Sequence, residues 1–142
     1  MKFWSDGGGR FLLRVDEGEE VIETLRSFAA EAGAAGYGIV SGLGALGAAT
    51  YGHFDPVKGA FSEAPIEGFL EVVTFSGNIL KADGVFAPHL HTIVRTEADA
   101  LVGGHILSAT VRAPLEIVLI AYDADKPVRR FSERYKAPMI DD

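Results

Sequence analysis

Between residues 19 and 32 the apolar positions Val21, Ile22, Leu25, Phe28 and Ala29 recur at i, i+1, i+4, i+7 and i+8, with acids in the first turn and Gly33 as a stop. Nothing after Gly33 repeats that period over a comparable length, so the rest of the core must come from strands. Strand-like segments, apolar and β-branched, lie at 10–19, 37–41, 47–54, 69–75, 77–82, 89–95, 105–112, 115–123 and 128–136. One principal helix beside many strands predicts an α+β fold on a largely antiparallel sheet. A short helical turn is expected over 96–102, and residues 7–9, three glycines, read as a flexible lead-in. The 142 residues, 48% of them hydrophobic, suffice for one domain over 1–142 that buries roughly two-thirds of its unfolded surface. There is no internal repeat or long linker.

With no cysteine, the chain has no disulfide, thiolate metal site or cysteine nucleophile. A metal would have to be held by His, Asp or Glu. The absence of a secretory h-region or a long apolar run leads to the expectation of a cytoplasmic protein without membrane partners. A net charge of -7 repels nucleic acid on average, so DNA binding would need a local basic patch. The one candidate is "KPVRRFSERYK", with Lys126, Arg129, Arg130, Arg134 and Lys136. As a single strand it would put Arg130, Arg134 and Lys136 on one face and Arg129, Phe131, Glu133 and Tyr135 on the other. A solvated edge strand whose charges discourage aggregation is the favoured reading.

The stretch "SGLGALG" carries Gly42, Gly44 and Gly47 in the G-x-G-x-x-G spacing of dinucleotide sites. That fingerprint requires a strand before it and a helix after it, so that a helix N-terminus meets the pyrophosphate. The segment "YGIV" supplies the strand. The sequel "AATYGHFDPVKG", with strand formers, Gly52 and Pro56, does not supply the helix.

Three of the four histidines fall in "PHLHTIVRTEADALVGGH". His89 and His91 share one strand face with Cα atoms roughly 6.5 Å apart, a spacing that suits two ligands of one metal. His105, after Gly103 and Gly104, can complete the set if its strand pairs with theirs. Three neutral imidazoles with a fourth position left open are the ligands of a catalytic or substrate-binding zinc. Ligation needs neutral imidazole, which implies affinity falling below pH ~6.5. His53 stands on a separate segment and is expected at the surface. Arg95 has the parity of His89 and His91 and could meet an anionic substrate. Glu116, a carboxylate inside "PLEIVLIAY", could serve as a general base, or could mark a solvated strand end. A cupin would also place H-x-H on a strand, but with a glutamate a few residues on, where this chain has Ile93, Val94, Arg95 and Thr96.

Taken in order, "RFLLRVDEGEEVIETLRSFAAEAG", "SGLGAL", "GFLEVVTFSGNI", "PHLHTIV" and "GGHILSATV" resemble the plant-and-prokaryote-conserved (PPC) domain nearly end to end. The resemblance implies an α+β fold like that of acetolactate decarboxylase and a homotrimer. It also implies a divalent metal, zinc first, at His89, His91 and His105. The three glycines then read as tight packing between strands. For activity it implies small-molecule binding, or a metal-dependent lyase or hydrolase-type reaction involving Glu116 and Arg95. Plant relatives join the domain to AT-hook segments that bind DNA, so a DNA-associated regulator and a purely structural trimer are the alternatives. This chain contains no R-G-R-P hook.

Overall fold

The computed structural model of the chain describes residues 1–55, 57–122, 127–135 and 137–141, the side chains of Phe61 and Asp141 excepted. The elements are β1 (Lys2–Ser5), β2 (Arg10–Val15), α1 (Val21–Ala32), β3 (Gly36–Asp55), β4 (Ala60–Ala82), β5 (Val85–Arg95), β6 (Leu101–Tyr122), β7 (Val128–Ser132) and β8 (Ala137–Asp141). The expected α+β architecture on a mostly antiparallel sheet is present, with α1 as its helix. Glu20 caps α1 by accepting the Glu23 N–H at 2.8 Å, which moves the helix start to residue 21. Gly33, at φ 82°, ends it.

The eight strands form one sheet in the order β1-β2-β6-β3-β4-β7-β8, with β5 joined to both β4 and β6. Because β3 pairs with β4, β4 with β5, β5 with β6 and β6 with β3, the four central strands close into a ring. In this ring β3 pairs with β4 and β6 along most of its length, while β4 and β6 also pair with β5. Residues 101–105 of β6 pair with β5, and residues 105–122 pair with β3. The inward face of α1, with Val21, Leu25, Phe28 and Ala29 fully buried, covers the sheet against Leu13, Val15, Leu115 and Ile117. Phe28 meets Phe3 and Phe11 edge-on at 5.1 and 5.5 Å between ring centroids. Each large side chain of this layer gains roughly 1.5–3 kcal/mol on burial.

Three local expectations are corrected. The segments 37–41 and 47–54 belong to one strand, β3, which passes through "SGLGALG" on a series of register irregularities. Gly44 is the tightest point: it adopts φ 145°, and a Cβ there would lie 2.4 Å from the Pro114 carbonyl oxygen. The strand simply continues where a dinucleotide site needs a helix. Residues 2–5, for which no element was expected, form an edge strand on β2. The expected helical turn at 96–102 is the hairpin between β5 and β6, closed by Thr96 N–H to Ala100 O and by Asp99 at φ 64°. The basic segment 128–136 is not one strand, because β7 ends at Ser132 and the chain turns back into β8. Its supposed two faces therefore do not exist, and Lys126 and Lys136 lie outside the described residues.

Candidate metal centre

Strand β5 turns Leu90, Thr92 and Val94 inward, where they are at most 2% exposed, and so presents His89 and His91 together on its other face. His105 arrives by register, directly opposite His91 across β5–β6 and opposite Gly52 across β6–β3. It stands where β6 pairs with β5 and β3 at once, which is why ring closure, and not the histidine spacing alone, completes the set. The close approach of the strands depends on Gly103, whose Cβ would lie 2.2 Å from the Thr92 carbonyl oxygen.

One ligand atom from each of the three imidazoles lies within 4.8 Å of the others. The Nε2 atoms of His89 and His91 are 3.3 Å apart. Two nitrogens each ~2.0–2.1 Å from a tetrahedral zinc would be separated by ~3.3 Å, so this pair already has the spacing of a ligand edge. Burial, then the charge of Arg129, then the other two imidazoles push His89 down from 6.5 to about 4. His105 is also lowered, by burial, His91 and Arg129. Both rings are thereby kept in the neutral form that ligates, to lower pH than the unperturbed value implies. The donor set fits a divalent metal.

Above the triad is a cavity of about 530 Å³, walled by His53, Phe54, Ala82, Ala87, Pro88, Arg129, Pro138 and Met139 besides the histidines. The β7–β8 hairpin supplies Arg129 and the roof. Arg129, expected on an exposed basic strand, is only 7% exposed. It donates from Nη2 to Asn78 Oδ1 at 2.8 Å and from Nη1 to the Pro138 carbonyl at 3.1 Å. Asn78 is the cross-strand neighbour of His89, so the guanidinium is tied to the strand beside the triad. The sequence holds no signal for this, since the order of buried and exposed positions along β7 follows no strand alternation. His53 is exposed as expected, yet it also lines the cavity.

The two expected catalytic residues are not brought to the triad within the chain. Arg95 lies four residues beyond His91, ~13 Å along β5, and is engaged by Asp99 at 2.6 Å and Glu71 at 3.6 Å. Glu116 lies eleven residues from His105, roughly 35 Å along β6. It is exposed, beside Arg14 and Leu43 in the ladder. Strand parity was correct for Arg95, but position along the strand decides contact.

A ring-closed antiparallel sheet with one covering helix and three convergent imidazoles defines an α+β protein with a candidate metal centre. The chain belongs to the Plants and Prokaryotes Conserved (PCC) domain family, whose profile matches residues 5–123. Among solved structures it is similar to a protein of provisional DNA-binding assignment from Bacteroides thetaiotaomicron, at 24% identity and TM-score 0.91 over 99% of this chain and 96% of that one. It is also similar to a metal-containing protein from Archaeoglobus fulgidus, at 28% identity and TM-score 0.87 over 95% and 94%. A more distant likeness, of fold alone, is to acetolactate decarboxylase from Bacillus subtilis subspecies spizizenii, at 15% identity and TM-score 0.53 over 78% and 52%. No curated protein matches the chain. No helix among the described residues is long and apolar enough to cross a membrane.

Proposed function

We propose that the chain is one cytoplasmic PPC domain, working as a homotrimer, that holds a divalent metal, zinc first, on His89, His91 and His105 and binds a small molecule in the cavity above it. The observation that carries this reading is the convergence of three imidazoles from two strands under one cavity. A relative similar over nearly its full length is named as metal-containing, which agrees with it. A zinc held by three neutral imidazoles supplies a positive centre that can take and polarise a ligand oxygen. His89, His91 and His105 hold it, at the floor of the cavity that the β7–β8 hairpin borders. Among the described residues no Asp or Glu lines the cavity, so none of them supplies there the carboxylate base expected of Glu116. Binding is therefore better supported than the lyase or hydrolase-type reaction.

The trimer is supported by an uncovered apolar face. Leu12, Val40, Leu43, Val118 and Ile120 are each 39–64% exposed on β2, β3 and β6, a patch of the kind that marks association surfaces. The DNA-associated alternative has less support. Arg129, one of five bases in the basic segment, is buried at the metal centre, and the chain carries -7 overall.

Metal analysis of protein purified without a histidine tag tests the reading. One equivalent of metal per chain is expected, lost in His91→Ala and retained in His53→Ala, with both variants folded. A wild type that binds no zinc, nickel, iron or manganese at micromolar concentration overturns it, as does loss of metal from His53→Ala but not from His91→Ala.

A further inference from the structure

Arg129 poses a problem of charge. A guanidinium cannot lose its proton, and one that is 7% exposed ordinarily has an anionic partner. Among the described residues it makes no ion pair. Its two hydrogen bonds go to neutral acceptors, Asn78 Oδ1 and the Pro138 carbonyl, and its buried Nε has no partner. Arg129 also walls an adjoining cavity with Ser76, Asn78 and Ile140, and among the described residues no Asp or Glu lines either space. The surrounding titratable groups are His89, His91, His105 and, at the rim, His53, all imidazoles. A divalent metal on the triad would add two more positive charges to a centre where no described residue supplies a negative one.

We propose that Arg129 is the recognition group for a carboxylate, so that the ligand of this cavity is a small carboxylic acid anion with an apolar body. Three observations carry the class. The two hydrogen bonds hold the guanidinium in place before any ligand arrives and leave one N–H on each Nη for a carboxylate, Nε–H being buried. The other walls, Ala82, Ala87, Pro88, Pro138 and Met139, suit a hydrocarbon body. Among the described residues no helix N-terminus, the usual phosphate site, borders the cavity. Arg129 thus takes the part that sequence parity assigned to Arg95. The inference rests on the metal-centre reading only for the second anchor, the metal, since the charge of Arg129 is present with or without it.

The test is calorimetric titration of wild type, zinc-loaded and metal-free, with benzoate, its neutral isostere benzamide, and inorganic phosphate. Benzoate is expected to bind at least about tenfold more tightly than either of the others. Arg129→Gln should erase the benzoate preference while keeping its zinc. Arginine Nε–H resonances of the wild type give a readout that needs no foldable variant. Benzoate should shift one of them, the one absent from Arg129→Lys, and benzamide should shift none. Equal binding of benzamide or phosphate, an unmoved Nε–H resonance, or a benzoate preference that survives in zinc-loaded Arg129→Gln would overturn the proposal. Failure of the wild type to take up zinc would instead refute the metal centre, and the metal-free titrations would still decide Arg129.

Discussion

Replacing Gly103 with alanine places a methyl carbon 2.2 Å from the Thr92 carbonyl oxygen and 2.8 Å from Ile93 Cα. Both obstacles are backbone, so no side chain can rotate away. Ordinary contact begins at 3.4 Å, and β6 must therefore withdraw from β5 by about 1.2 Å at this point. The pairs affected are Ile93 with Gly103, Thr92 with Gly104 and His91 with His105, so the displacement reaches the third ligand within two residues. Metal–ligand distances tolerate only ~0.2 Å, and a shift even half as large as the clash demands should lower zinc affinity at least about tenfold. Overpacking of this kind costs ~1–3 kcal/mol, equivalent to a fall in Tm of roughly 3–10 °C for a chain of this size. Zinc competition titration and thermal unfolding followed by circular dichroism measure the two effects. The control is Gly47→Ala, whose Cβ would find its nearest neighbour, Arg112 Cβ, at 3.4 Å and should change neither quantity. If Gly103→Ala keeps wild-type zinc affinity and a Tm within about 1 °C, the reasoning that strand approach builds the site is wrong.

Folded His89 takes up its proton only near pH 4, whereas the unfolded chain does so near 6.5, so the unfolded state binds the extra proton between those values. The metal-free protein should lose stability as pH falls from about 6.5 to about 4 through this group, with His105 contributing in the same direction. Denaturant midpoints at pH 7 and pH 5 should show the decline, and a slope no shallower in His89→Gln would refute it. In light scattering, the trimer should give close to three times the 15.1 kDa chain mass. Val118→Glu, in the exposed face beside Leu12, should yield folded monomer, and a wild type that is monomeric at micromolar concentration would remove the trimer.

Local sequence determined the elements that depend on local physics. The stripe Val21, Ile22, Leu25, Phe28 and Ala29 encodes α1 because a 3.6-residue period can bury one face in only one way, and alternation put His89 and His91 on a common face because a strand has period two. The glycine spacing of "SGLGALG" could be separated from a phosphate loop because the helix a phosphate loop needs was legibly absent. Parity, however, says which face a residue occupies and nothing about distance along the strand or about a chain reversal ahead. Arg95 therefore shares the face of the triad but ends in an ion pair with Asp99. Glu116 stands far along β6. Arg129, read as one base among five on an edge strand, is turned inward by the β7–β8 hairpin and fastened to Asn78, fifty-one residues earlier in the chain. Ring closure likewise brings His105 against both His91 and Gly52. These contacts are non-local, and which strand a long strand pairs with is decided by the whole sheet's closure, so only the tertiary structure could show that the one buried arginine lies beside the three histidines.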